Sequence, residues 1–365
     1  MNPYLAAGLL FAIAFLPPSA ALAKRPKNKT EPALGLRAPG VAIPYANLKT
    51  EAEFAVVPPF GGLLVTDSII IGDAAGLHLF YAKTNKAFEP SRDVLEVTNT
   101  CGGIVNAFSF AWSARCDTRS IAKVEIQPVR PPGKGGPKKN EENAKQPEPS
   151  AEPKPPAPPG VIATGAAPGA QQAIAASSDS LWLLADDMTN LLRVDPVENI
   201  VVSELRLPAE CQSIVFAEKS LWVACPAEDR ILRINPEKNL VEKRIEAGPE
   251  PVGIAAGDSS IWVFLRKEGK VVRLDVKSEK ITATIDVGLS GSAGTLAYGD
   301  GSLWLSAPGV PLTRIDPASD KVAQQFHGEG GGRVFYGLGS VWVGGLQSPV
   351  LKRFDPKLVK ATLSD

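Results

Sequence analysis

The sequence predicts an all-β protein, a seven-bladed β-propeller made of four-stranded antiparallel blades. Three observations predict it: a tryptophan that returns about every 40 residues, a fixed strand phrase around each one, and a length that divides into seven such units once one insert is set aside.

Trp182, Trp222, Trp262, Trp304 and Trp342 are 40, 40, 42 and 38 residues apart. Each sits in a phrase of the form Ser180-Leu-Trp-Leu, Ser220-Leu-Trp-Val or Ser260-Ile-Trp-Val. Ten or eleven residues after each tryptophan comes an arginine, as in Arg193-Val-Asp-Pro, Arg233-Ile-Asn-Pro, Arg314-Ile-Asp-Pro and Arg353-Phe-Asp-Pro. Two further copies lie upstream. Trp112 precedes Trp182 by 70 residues, but residues 131–158 hold nine prolines and almost no large apolar side chain; without those 28 residues the spacing is 42. Ile70, in Ser68-Ile-Ile-Ile, stands where a tryptophan belongs another 42 residues back. Residues 51–365 less the insert then make seven units of 41. Ile70 and the six tryptophans are assigned to packing between blades.

The fifth unit shows how each blade reads. Strand A is Gly253 to Ala256, strand B Ser260 to Phe264, strand C Val271 to Asp275 and strand D Ile281 to Val287. Asp258-Ser259, Asp300-Gly301 and Glu218-Lys219 suit two-residue A–B hairpin turns. The Asp-Pro after strand C starts a turn, because proline cannot donate to the ladder and has a fixed φ. Strand A is rich in small residues and strand B is apolar on both faces, as expected near the axis of a ring and between two neighbouring sheets.

The insert 131–158 has the composition of a solvated linker, with five lysines against four glutamates. Strands A to C of the second blade precede it and Val161 to Thr164 follow as strand D, so it is expected within the C–D turn. The repeat also sets the register of the cysteines. Cys101 and Cys116 lie at −11 and +4 from Trp112, and Cys211 and Cys225 at −11 and +3 from Trp222. Each pair brackets an A–B hairpin, so the expected disulfides are Cys101–Cys116 and Cys211–Cys225. Closure has two candidates: Glu51 to Val56, as an N-terminal strand completing blade 7, and Lys360 to Leu363.

The phrase Leu/Ile-Trp-Val, then Arg-Ile-Asp-Pro, then the strand from Lys280 to Gly288 resembles the YVTN-type seven-bladed propellers, over about residues 51–365. The virginiamycin B (streptogramin) lyases are a similar propeller group. The resemblance implies a fold and is poorly specific for activity. Those lyases open a cyclic depsipeptide by elimination with histidine, glutamate and a divalent metal. Only His78 and His327 are present here, so no catalytic residue is carried over.

Composition narrows the partners. Lys plus Arg number 39 and Asp plus Glu 39, which argues against nucleic acid. Two histidines and no CxxC exclude zinc modules and c-type haem attachment. Leu5 to Leu16 is an apolar run of 12 residues, followed by Ala21-Leu22-Ala23, which fits a secretory signal over residues 1–23. Twelve residues are too few to span a bilayer. A tail over residues 24–50, an oxidising compartment, a secreted or periplasmic location and a monomer without transmembrane anchor are the accompanying expectations.

Ligand candidates gather on the face where the D–A and B–C loops meet. They are Arg115, Asp186, Asp187, Glu228, Asp229 and Arg266 in B–C loops, and Gln172 and Gln212 at the entrances of strand A. His327, Glu329 and Arg333 surround three glycines, which allow close approach of a backbone or ligand. The expected function is an exported, non-catalytic binding or scaffold module for a protein, peptide or cell-envelope ligand, with no cofactor. The alternative is a lyase of the streptogramin type, with Mg2+ as its metal.

Overall fold

The computed structural model describes residues 43–66, 68–87, 94–95, 97, 100–115, 118–125, 160–163, 173–185, 188–345 and 347–359. It is a ring of seven four-stranded antiparallel blades, with no α-helix among the described residues. The chain begins with β1 (Ile43–Pro44), a short 3-10 turn (Tyr45–Asn47) and β2 (Ala52–Ala55). Blade 1 comprises β3 (Gly62–Val65), β4 (Ser68–Gly72), β5 (Leu77–Tyr81) and β6 (Val94–Leu95). Blade 2 comprises β7 (Thr100–Ala107), β8 (Phe110–Arg115), β9 (Ser120–Glu125) and β10 (Gly160–Ala163). Blade 3 is β11 (Ile174–Ala176), β12 (Leu181–Ala185), β13 (Asn190–Asp195) and β14 (Ile200–Arg206), and blade 4 is β15 (Ser213–Ala217), β16 (Ser220–Cys225), β17 (Arg230–Asn235) and β18 (Leu240–Glu246). Blade 5 is β19 (Pro251–Gly257), β20 (Ser260–Leu265), β21 (Lys270–Asp275) and β22 (Lys280–Asp286), and blade 6 is β23 (Thr295–Gly299), β24 (Ser302–Ala307), β25 (Val310–Asp316) and β26 (Lys321–His327). Blade 7 has β27 (Arg333–Gly337), β28 (Ser340–Gly344) and β29 (Val350–Phe354) from the C-terminal part of the chain, and takes β2 as its outer strand. The N-terminal candidate therefore closes the ring; Lys360 to Leu363 lie outside the described residues.

The repeat phrase has a physical reading in full. Every tryptophan is completely buried and packs against the following blade: Trp182 meets Ile214 and Val223, Trp262 meets Leu296 and Leu305, and Trp342 meets Leu63 and Ile71 across the closing seam. Ile70 does the same against blade 2, beside Ala111 and Val124. The tryptophan indole N–H donates to a group five residues earlier, a carbonyl in Trp222 to Ala217 (3.2 Å) and Trp304 to Gly299 (3.0 Å) and the Ser177 hydroxyl in Trp182 (3.0 Å). The arginine of strand C lies over the tryptophan ring, 4.9–5.8 Å from its centroid in five blades. Its Nε donates to the serine that opens strand B, at 2.8 Å in Arg193 and 2.9 Å in Arg273.

The A–B turns of blades 4 and 5 have positive φ at both central residues, Glu218 and Lys219 (47° and 60°) and Asp258 and Ser259 (55° and 52°), the twist that suits a two-residue hairpin. The Asp or Asn after strand C caps the next turn. Asp195 Oδ1 accepts from the N–H groups of Val197 (2.8 Å) and Glu198 (2.9 Å), which hold its carboxyl below the usual range. The left-handed residue ending that turn then receives the cation of the preceding blade. Lys123 Nζ donates to Asn199 Oδ1 at 2.9 Å, Arg233 to Glu279, Arg273 to Asp320 at 3.2 Å, and Arg353 to Asn85 at 2.8 Å across the closure. Blade 2 departs from the pattern, with Phe110 and Lys123 replacing serine and arginine and the ammonium lying 4.3 Å from the Phe110 ring.

One sequence expectation changes here. The segment 24–50 is no tail from Ile43 on: β1 runs parallel to the end of β26, pairing Ile43 with Phe326 and Pro44 with His327. The cause is apolar anchoring, since Tyr45 is buried against Phe354 with ring centroids 5.6 Å apart. Strand D of blade 2 is β10, paired with β9, so the connection carrying residues 131–158 joins strands C and D of that blade. The insert itself and the segment 1–23 lie outside the described residues.

Candidate functional site

The loop-bearing face carries a cleft of about 460 Å³ between blades 6 and 7. Three pieces of chain build it. His327 ends β26, and Gly328 to Gly331 lead on toward blade 7; Pro44 to Ala46 come from the docked N-terminal segment; Val343, Gly344, Ser348, Val350 and Lys352 come from blade 7. The glycines have a local cause. Gly331 has φ 86°, and a Cβ there would sit 2.4 Å from the Ala307 carbonyl oxygen. Gly328 donates to the Gly309 carbonyl and Gly309 to that of Gly330, which pins the loop to the B–C turn of blade 6.

Opposed charges flank this apolar floor. Lys352 Nζ lies 5.4 Å from the Tyr45 ring centroid and 3.5 Å from Glu53 Oε1. Burial, and then the Glu53 charge, raise the Tyr45 phenol well above its ordinary value, so it stays protonated. Glu329 is exposed at the lip, and the His327 imidazole is half-buried without a hydrogen-bond partner among the described residues. Such a site offers an aromatic wall, one cation, one carboxylate and one imidazole, the mixture that orients an extended peptide or a single polar side chain.

Sequence reasoning grouped His327, Glu329 and Arg333, and the structure separates them. His327 and Glu329 line the cleft, whereas Arg333 opens β27, is 5% exposed and points to blade 1, where Nη1 donates to the Gly61 carbonyl at 3.0 Å. The reason is strand alternation: Val334 faces blade 6, and Arg333, like Phe335, faces blade 1. Tyr45 and Lys352 were missed. Tyr45 sits in a stretch with no repeat register, and Lys352 reads from sequence as an ordinary outward strand residue.

Two other candidates, Asp229 and Arg266, are both tied to Glu250. Asp229 Oδ1 accepts the Glu250 N–H at 2.9 Å, and Arg266 Nε donates to Glu250 Oε2 at 3.0 Å, bracing blades 4 and 5. Glu228 Oε2 is buried without a hydrogen-bond partner among the described residues. Gln212 and Arg115 are half-buried at the start of strand A and the end of strand B. Gln172, Asp186, Asp187 and Cys116 lie outside the described residues, as does the side chain of Cys101. The second expected disulfide, Cys211–Cys225, is formed and staples the rim of blade 4.

His78 bonds Asp73 Oδ1 at 2.9 Å in blade 1 and is remote in the chain from His327 in blade 6. Among the described residues no three His, Cys, Asp or Glu side chains converge to hold a cation. The described residues therefore bring together no donor set of the kind that the metal of the streptogramin-lyase alternative requires. No helix of the described residues is long and apolar enough to cross a membrane.

Comparison with known proteins gives fold and not family. No family model matches the chain, and no curated protein matches it. Among solved structures, BamB from Moraxella catarrhalis superposes with a TM-score of 0.53 at 11% identity, covering 82% of this chain and 83% of that one. Kuenenia stuttgartiensis hydrazine synthase matches with a TM-score of 0.42 at 14% identity, over 47% of this chain; the match spans 54% of the synthase chain. The chain has a seven-bladed β-propeller fold, similar over most of its length to that of BamB.

Proposed function

We propose that the chain is an exported binding or scaffold module of the YVTN type, acting as a monomer, and that the cleft between blades 6 and 7 holds a peptide segment of a protein or cell-envelope ligand. The observation that carries this reading is the cleft itself, about 460 Å³ with Tyr45, His327, Glu329 and Lys352 converging on it. Rigid seams surround it, so a ligand is met by a preformed surface and little ordering cost is added on binding. The disulfide Cys211–Cys225 supports an oxidising location.

The test uses random peptides displayed on phage and selected on the mature protein. Ser348→Trp fills the cleft, and His327→Ala with Glu329→Ala removes its polar groups. Selected peptides are expected to lose about tenfold or more in affinity for both variants, the equivalent of about 1.4 kcal/mol. Undiminished binding to both removes the cleft from consideration. Export is checked separately by N-terminal sequencing of the recovered protein, which is expected to begin at Lys24.

A further inference from the structure

The residue that opens the inner strand is small in most blades: Ala173, Ser213, Gly253 and Thr295 occupy the position that Arg333 holds in blade 7. Two of these bolt to the next blade through a hydroxyl. Ser213 donates to the Val252 carbonyl at 2.9 Å and Thr295 to the Gly332 carbonyl at 3.4 Å. Arg333 Nη1 makes the equivalent bond to Gly61 at 3.0 Å. A neutral hydroxyl suffices for that bond elsewhere, so the bond does not account for a full charge.

The rest of the guanidinium is unused. Nε is buried without a partner, and no carboxylate lies within ion-pair distance of Arg333 among the described residues. Its remaining neighbour is the Phe60 ring, with the guanidinium carbon 5.8 Å from the centroid. Burial lowers the Arg333 pKa to about 10, which leaves it charged at neutral pH. A buried cation without a counter-charge is costly. With Nη1 committed to Gly61, the free edge is the Nε–H and Nη2–H fork, which takes a carboxylate in two parallel hydrogen bonds. The loop leading to it is open at two of its three glycines and tight at the middle one: a Cβ at Gly330 would meet nothing within 4 Å and one at Gly332 only the Pro308 ring at 3.8 Å, whereas one at Gly331 would lie 2.4 Å from the Ala307 carbonyl oxygen.

We propose that Arg333 receives a ligand carboxylate at the seam between blades 7 and 1, gripped side-on by Nε and Nη2. This site is independent of the cleft between blades 6 and 7. The carboxylate belongs either to a chain terminus or to an acidic side chain, and the two sources are separable.

The test is thermal unfolding of the mature protein at neutral pH, with ionic strength held constant by sodium chloride. Acetate is expected to raise Tm saturably, by roughly 5 °C at a hundredfold excess over Kd, and acetamide is not. Arg333→Met removes the charge but keeps an apolar stem; it is expected to unfold no lower than wild type in chloride and to ignore acetate. Arg333→Lys keeps a charge without the fork and is expected to show less than half the acetate shift. Trialanine with a free carboxyl, its amide, and N-acetylaspartate amide then distinguish a terminal from a side-chain carboxylate. An acetate response equal in wild type and Arg333→Met means an adventitious ion only and overturns the proposal. So does a wild type without a saturable response, or, should Arg333→Met fail to fold, an undiminished response in Arg333→Lys.

Discussion

Replacing Asp73 with Asn tests whether one carboxylate latches the closing seam. Asp73 is fully buried; its Oδ2 accepts the Val57 N–H at 2.8 Å. Its Oδ1 accepts from Ala75 (2.8 Å) and Gly76 (3.2 Å) and meets His78 Nε2 at 2.9 Å. Val57 lies two residues beyond the end of β2, so this carboxylate ties the closing strand to the B–C turn of blade 1. Asparagine has the same shape but one acceptor. With that acceptor kept on the turn, its amide opposes the Val57 N–H, donor against donor. A bond to a charged group contributes about 1.5–3 kcal/mol, and a buried N–H left unpaired costs about 1–3 kcal/mol. These overlap, so the expected loss is roughly 2–4 kcal/mol, or about 3–7 °C in Tm for a ring of this size. Thermal unfolding reads the total, and hydrogen exchange read by mass spectrometry locates it. Exchange should quicken in Ala52–Ala55 and Val350–Phe354 and stay unchanged in blades 4 and 5. A Tm within about 1 °C of wild type, or faster exchange spread evenly around the ring, refutes the latch.

The same carboxylate sets a pH dependence. Burial opposes its ionisation, but the His78 and Val57 bonds outweigh burial and hold its pKa below the usual value. Its contribution is therefore complete above about pH 4 and lost as pH falls through the lowered value; acid unfolding of Asp73→Asn should lack that component. Cys225→Ser opens a disulfide whose partners are 14 residues apart and is expected to cost about 3 kcal/mol in denaturant unfolding. Trp262→Ala removes the largest side chain from the seam between blades 5 and 6 and should cost about 3–5 kcal/mol, while Ile70→Ala in the seam between blades 1 and 2 should cost about 2–5. Equal unfolding midpoints for Trp262→Ala and wild type would refute its packing role.

The ring was legible because blades 3 to 7 solve the same packing problem with the same residues. A buried tryptophan needs an acceptor for its indole, an arginine to cover it and a serine to hold that arginine, and these recur at fixed spacing. The Cys211–Cys225 bridge followed from the register of one hairpin. The cleft was half legible. Three glycines marked the loop after His327, but Tyr45 belongs to a segment placed only by tertiary contact with Phe354. Arg333 was misread as a loop residue because glycines precede it. Its place in the series Ser213, Gly253 and Thr295 was the signal that located it in a strand.

The pairing of Ala52–Ala55 with Val350–Phe354 also imposes an order on biogenesis. Ser340 Oγ donates to Glu51 Oε2 across 289 residues of chain, and Arg353 Nε lies 3.1 Å from the same oxygen. β2, made early, must therefore wait, solvated and unpaired, for β29. Until β29 emerges, the growing array has two open edges that invite association with other chains. A nascent chain cut short anywhere before blade 7 keeps both edges and stays visible to chaperones and proteases. Closure thus acts as a proofreading step, in which only a chain carrying all seven blades hides the edges that mark it as unfinished.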